Sequence, residues 1–206
     1  MLEKTRKHTE TIIPYEGNDT QLARIRISVV GISPLMTHNP QSMGVEVAPG
    51  KGSRIPDAET EAEAGCYRME DGTLAIKGES FRGALLGAAG AWKAKAKKTM
   101  RSILSHIVVV EELVQLHHPD GDPLTSYTID ARRAIVQRQG IVRRRPRFEN
   151  WACSFTMEFD QQICPEPKLI VDVCADSGGR MGVGDFRPQK NGPYGRFTVK
   201  HYSIVA

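Results

Sequence analysis

The sequence predicts a mixed α+β domain whose elements follow the order strand, helix, strand, strand, helix, strand. Three observations predict it: alternating apolar and polar runs near both ends of the chain, one amphipathic helical stretch between them, and a third alternating run downstream of that helix. Residues 23–32 (ARIRISVVGI) alternate as a half-buried strand does and are expected to form the first core strand.

Residues 1–22 are polar and irregular and read as a flexible N-terminal arm. After the first strand, Pro34, Pro40, Pro49 and Pro56 surround a glycine-rich center, VAPGKGSRIP, which regular structure does not tolerate. A short acidic helix is expected after Asp57. Residues 33–72 therefore read as a long insertion, and unstructured connections of such length are usually functional. Asp71-Gly72 between the β-prone runs 66–69 and 73–77 signals a hairpin.

In IKGESFRGALLGAAGAWKAKAKK, Phe81, Leu85, Ala88, Ala89 and Trp92 fall at helical spacing, and the lysines of the last turn suit the negative end of a helix dipole. Residues 103–116 are rich in β-branched side chains and read mostly as strand. Residues 125–136 and 141–147 read as an arginine-rich β-hairpin around Gln139-Gly140. Residues 151–159 alternate as a core strand, 168–175 read as a helix stopped at Gly178-Gly179, and 196–205 alternate as the last strand. With the hairpins set aside, this is the ferredoxin-like (RRM-like) βαββαβ arrangement.

The chain has 206 residues, a net charge of +4 and a pI near 8.9, values too mild to identify a nucleic-acid binder by themselves. The distribution says more. Acidic residues gather in DAETEAE at 57–63, and arginines gather at 132–147 and 180–196, which predicts one electropositive face. No apolar run is long enough to span a membrane, and MLEKTRKHTE lacks the core of a signal peptide. The expectation is a soluble, cytoplasmic protein. Cys66, Cys153, Cys164 and Cys174 contain no C-x-x-C pair, which argues against a zinc knuckle or a disulfide framework and for reduced structural thiols.

Residues 178–197, GGRMGVGDFRPQKNGPYGRF, put backbone freedom and charge in one loop. Gly182, Gly184, Gly192 and Gly195 can adopt positive φ or admit another backbone. Arg180, Arg187, Lys190 and Arg196 supply phosphate partners, and Phe186 and Tyr194 supply flat surfaces for stacking. A solvated glycine-rich connector is the plainer alternative. A Rossmann fingerprint is excluded: the third glycine is missing, Asp185 would repel a pyrophosphate, and a strand follows where a helix is needed. PGKGS at 49–53 lacks the first glycine of a P-loop. In IKGESFRG, Ser80 and Arg82 sit in the first helical turn, where free N–H groups favor an anion, although Ser80 could equally be a plain cap. A third basic element comprises Arg132, Arg133 and Arg138 with Arg143, Arg145 and Arg147 of RRRPRF. Only about half of these can face one ligand in extended structure, and Pro146 marks an edge or a bulge.

IKGESFRGALLGAA is similar to the I-P-G-S-S-L-[KR]-G-x-L-R motif of the RAMP superfamily, and GGRMGVGDFRPQKNGPYGRFTV resembles its C-terminal glycine-rich loop. The likeness spans roughly residues 23–205 and is nearest to the backbone subunits of CRISPR effector complexes, ferredoxin-like proteins that polymerise along guide RNA. It implies a single RAMP-like domain at 23–206 whose insertion contacts neighboring subunits. It also implies that Lys77, Ser80 and Arg82, with the loop 182–196, face the bound strand. The implied partners are single-stranded RNA or DNA, further copies in a head-to-tail filament, and other effector-complex subunits. This sequence departs from the motif at Glu79 and in its enlarged glycine loop. GISPLMTHNP, RRRPRFENW and GVGDFRP also resemble small phage-borne proteins, which leaves single-stranded DNA binding or annealing as an alternative.

Some RAMP relatives cleave RNA with a histidine, or with an aspartate in the loop after the first strand. Here that loop offers His38 and Asn39, so His38 is the candidate for proton transfer in a metal-independent ribonuclease. In HHPDGD, His117 and His118 are adjacent and would point to opposite faces of a strand, which disfavors a metal site with Asp120 and Asp122. No Ser-His-Asp or Cys-His set assembles from the sequence. The expectation is noncatalytic binding without metal or cofactor.

Overall fold

A computed structural model describes residues 20–45, 57–94, 98–136 and 139–205, without the side chains of 43–45, 134–136 and 139–141. Most of the expected N-terminal arm, the PGKGS stretch and Arg138 lie outside the described residues. In chain order the elements are β1 (Leu22–Gly31), β2 (Leu35–Met36), a 3-10 turn (Pro40–Val45), α1 (Ala58–Ala64), β3 (Tyr67–Arg68), β4 (Leu74–Lys77), α2 (Glu79–Ala88), α3 (Met100–Leu104), β5 (Val108–Val109), β6 (Leu113–Gln115), β7 (Thr128–Val136), β8 (Gln139–Phe148), β9 (Ala152–Asp160), α4 (Pro167–Arg180) and β10 (Phe197–Val205).

Alternation in β1 decides the architecture. Ile25, Ile27 and Val29 are buried and Arg24 and Arg26 are exposed, so one face of the strand must be covered and the other need not be. β1 lies inside a four-stranded antiparallel sheet of order β10-β1-β9-β5. On the covered face, Phe81 of α2 stacks on Phe155 of β9 at 4.1 Å between ring centroids and meets Phe197 of β10 edge-on at 5.7 Å. Ile170, Val173 and Cys174 of α4 complete that layer. Burial of a side chain such as Phe81 contributes about 1.5–3 kcal/mol. Two smaller antiparallel sheets, β2-β8-β7 and β3-β4-β6, flank the main one. Burial also pushes the Cys66 and Cys174 thiols up to about 12, and Cys153 well above the ordinary value, which keeps them protonated.

Three expectations are corrected. The central helix ends at Ala88, with a 3-10 turn over Ala89–Ala91, and does not continue through the lysines. Trp92 is extended and its indole N–H donates to Asp176 Oδ2 at 3.0 Å, so packing on α4 draws the chain off the helical path. Residues 103–116 are no continuous strand: α3 occupies their start, capped by Thr99, whose hydroxyl accepts from the Ser102 amide at 3.1 Å, and β5 and β6 follow. The last helix runs through Gly178-Gly179 to Arg180. Gly178 is a packing glycine, because a Cβ there would strike the Phe197 carbonyl. Pro146 sits in β8 beyond the two residues paired with β2, where β8 is locally an edge. No helix among the described residues is long and apolar enough to cross a membrane.

Candidate nucleic-acid interface

Three separated segments meet in a cleft of about 230 Å³. β4 delivers Lys77 and, after Gly78, the uncapped first turn of α2 delivers Glu79 and Ser80. The loop after β2 delivers Thr37 and His38, and the glycine loop delivers Gly184, Asp185 and Arg187. The β3–β4 pairing adds Tyr67, whose ring center lies 5.9 Å from Lys77 Nζ. Tyr67 sits diagonally across the ladder from Lys77, and sequence reasoning missed it although the hairpin around Asp71-Gly72 places it.

The positions of these groups follow from backbone contacts. Gly184 has φ 75 and the next amide, Asp185 N, donates to Met36 O at 2.8 Å. Gly195 has φ 67 and donates to Pro34 O at 2.8 Å, with no space for a Cβ against the Val183 carbonyl. The glycines thus let the loop pack on the loop after β1. Gly182 also has positive φ, and Gly192 lies against the Phe186 carbonyl. The backbone that these residues admit is the protein's own.

In the cleft, Lys77 Nζ stands 3.7 Å from Glu79 Oε1, an exposed pair that solvent screens. Arg187 donates from Nη1 to Gly184 O at 2.8 Å and from Nη2 to Gln189 Oε1 at 2.9 Å, so it meets neutral acceptors. Asp185 turns to Arg145, with 2.9 Å between Oδ2 and Nε in a geometry that is not a hydrogen bond. Ser42 Oγ is 3.3 Å from His38 Nδ1, and the Tyr67 hydroxyl donates to His38 O at 3.4 Å.

The structure distributes the other expected residues elsewhere. Arg82 donates to Ile107 O and Ser105 O, both at 2.7 Å, and ties α2 to the turn after α3. Arg180 pairs with Asp176 at 2.7 Å on α4. Lys190 and Arg196 are exposed. On the hairpin, Asp130 and Arg132 lie opposite Arg145 and Arg143, so these side chains share a face with Arg147, whereas Arg133 and Arg144 belong to the other. Arg132 holds Asp130 at 2.7 Å, which keeps its guanidinium charged, and Arg147 holds Glu149 at 2.9 Å. Arg133 is exposed and Arg143 half-buried.

Tyr194 requires a correction. It is only 5% exposed, its hydroxyl bonds Asp130 and Arg132, and the guanidinium carbons of Arg132 and Arg147 lie 5.0 and 5.6 Å from its ring center. Its ring is occupied by the protein's own arginines, and it joins the hairpin to the glycine loop. Phe186, half-buried at φ 47, stands 6.1 Å away. His117 Nδ1 lies 2.7 Å from His118 O, and the described residues contain no group of three or more His, Cys, Asp or Glu that could hold a metal.

No protein-family model matches the sequence, and no curated protein does. The fold is similar to a chain in the cryo-EM structure of Type III-B Cmr-beta bound to cognate target RNA. That likeness has a TM-score of 0.50 and 8% sequence identity, over 89% of this chain and 61% of the other. The protein thus spans less than two thirds of that chain's length, and what the two share is a fold.

Proposed function

We propose that the protein is a noncatalytic, largely sequence-independent binder of single-stranded nucleic acid, RNA foremost, that assembles head to tail along the strand as a CRISPR-type backbone subunit in antiviral defense. The observation that carries this reading is the cleft. It joins Lys77 and Ser80 to Gly184 and Arg187, about a hundred residues downstream, so the two stretches that resemble RAMP motifs line one hollow. The main sheet sets its fourth, first, third and second core strands side by side, with α2 and α4 as crossovers, which supports a ferredoxin-like core. The likeness to a chain of Cmr-beta bound to target RNA supports the ligand class. Lys77 and Arg187 suit phosphates, and a strand held this way shows steep salt dependence.

A second reading has its own observation: His38 lines the same cleft, so a metal-independent ribonuclease is the alternative. His38→Ala would then abolish cleavage while binding persists, and a native protein that leaves RNA intact removes that reading. The binding reading is tested on protein purified from cells without nuclease or high-salt washing. A large, nucleic-acid-rich particle that collapses with RNase is the expected result. Collapse with DNase instead moves the assignment to a phage single-stranded DNA-binding or annealing protein. A protein-like spectrum, together with no mobility shift of labeled oligonucleotides at low salt, overturns it.

A further inference from the structure

The uncovered face of the main sheet carries a second run of cations. Register places Arg26 of β1 opposite Ser203 of β10, and Ser28 opposite His201, all on the face away from the buried Ile25, Ile27 and Val29. The ladder then shifts between Ser28 and Val29, which leaves Lys200 as the extra residue of a bulge, a device that re-aims a side chain. Arg196 stands at the head of β10, where its carbonyl accepts from the Ile32 amide at 2.8 Å. Arg26, Arg196, Lys200 and His201 are exposed, and among the described residues none of their side chains has a carboxylate partner. Arg24 differs, since Glu158 of β9 takes it at 2.8 Å.

Between Arg26, Lys200 and Arg196 the surface is built largely of short hydroxyl side chains. Ser28 and Ser154 bond each other at 2.7 Å and Ser203 is exposed, so a ligand can approach the sheet closely. No Phe, Tyr or Trp of β1, β9 or β10 stands there: Phe155, Phe159 and Phe197 are core residues, Tyr202 pairs with the buried Ile27 on the other face, and His201 is the ring that these strands place on it. The exposed apolar side chains of this face, among them Ile32 beyond the end of β1 and Val108 and Val110 on the β5 side, lie at its margins, and unpaired cations and hydroxyls without a Phe, Tyr or Trp anchor fit a phosphate backbone better than a protein surface, whose hot spots are buried aromatics and arginines.

We propose that this face is a second contact surface for the nucleic acid, on which Arg26, Lys200 and Arg196 hold phosphates beyond the cleft. The proposal rests on the binding reading above. It identifies a surface that reads charge and not base sequence, because phosphate contacts carry no sequence information and stacking on a ring such as His201 is sequence-tolerant.

The test uses the full chain with Arg26→Gln and Lys200→Gln together, beside Lys77→Ala, each checked for an unchanged thermal melt. Binding of a labeled 30-nucleotide oligouridylate is measured over a series of salt concentrations. Removing two phosphate contacts lowers the slope of log affinity against log salt by about 1.4, and that fall is the expected result for the double variant. An unchanged slope beside a weakened Lys77→Ala protein overturns this inference and leaves the cleft reading standing. Loss of binding in neither variant overturns both. A change in particle size at unchanged slope overturns the inference in favor of an interface between copies.

Discussion

The β7–β8 hairpin and the cleft differ in what their cations already hold. Residues 132–147 contain seven arginines, more than the cleft and the glycine loop have cations. Yet Arg132, Arg144, Arg145 and Arg147 each hold a carboxylate, on Asp130, Glu61, Asp185 and Glu149 respectively. In the cleft, Arg187 holds a carbonyl and an amide oxygen, and Lys77 only a solvent-exposed glutamate. A phosphate that reaches Arg132, Arg144, Arg145 or Arg147 must displace an acid, whereas one that reaches Arg187 replaces neutral acceptors. Arginine density in the sequence therefore measures how the hairpin is fastened to its neighbors more than how strongly it attracts a strand.

The largest expected effect separates the two regions directly. Lys77→Ala with Arg187→Ala should weaken binding to a labeled single strand by about 1.5–3 kcal/mol for each charged hydrogen bond removed, read by fluorescence anisotropy at fixed salt. Arg145→Ala with Arg147→Ala should cost clearly less, and equal losses would erase the distinction. A smaller effect runs in the opposite direction. Asp185→Asn leaves Arg145 without its acid, and the salt slope should steepen by about 0.7, the increment for one more phosphate neutralised on a single strand; an unchanged slope would mean that Arg145 never reaches the ligand.

The smallest effect belongs to the far side of the hairpin, where the acidic helix docks. The hydrogen bond from Arg68 holds the Glu63 carboxyl below its ordinary 4.5, and Tyr127 adds a second bond. A carboxyl lowered by folding stabilises the native state above its unfolded value, and that contribution fades as pH falls through the folded one. Melting temperatures of wild type and Glu63→Gln should thus differ slightly at neutral pH and converge in acid. The pair is exposed, and about 0.2–1 kcal/mol is the scale for such a bridge.

The long alternating strands were readable because their pattern and their burial coincide: β1, β9 and β10 fall within a residue of the expected ranges. Ile25 and Ile27 announce the core as clearly in the sequence as in the fold. Where tertiary contacts decide, the sequence was a poorer guide. Nothing local marks Trp92 for an aspartate on α4 or Gly178 for the Phe197 carbonyl, and these contacts moved two helix ends. The site divides in the same way. Ser80 and the glycine loop carry a local signature, whereas the occupied face of Tyr194 depends on Asp130, sixty-four residues away in the chain. Arg26 was hidden because its alternation reads only as strand polarity.

One rung of the main sheet is made by a side chain. The Thr156 amide of β9 donates to Glu111 Oε2 at 2.8 Å, beside a Val110 amide that bonds Thr156 O in the ordinary way. Edge pairing there can therefore be edited by point substitution, which backbone ladders do not allow. Glu111→Ala would orphan a part-buried N–H, while Glu111→Gln would still offer an oxygen. Solvent exchange of that single amide becomes a local gauge of how firmly the β5–β6 edge is closed, independent of the stability of the rest of the sheet.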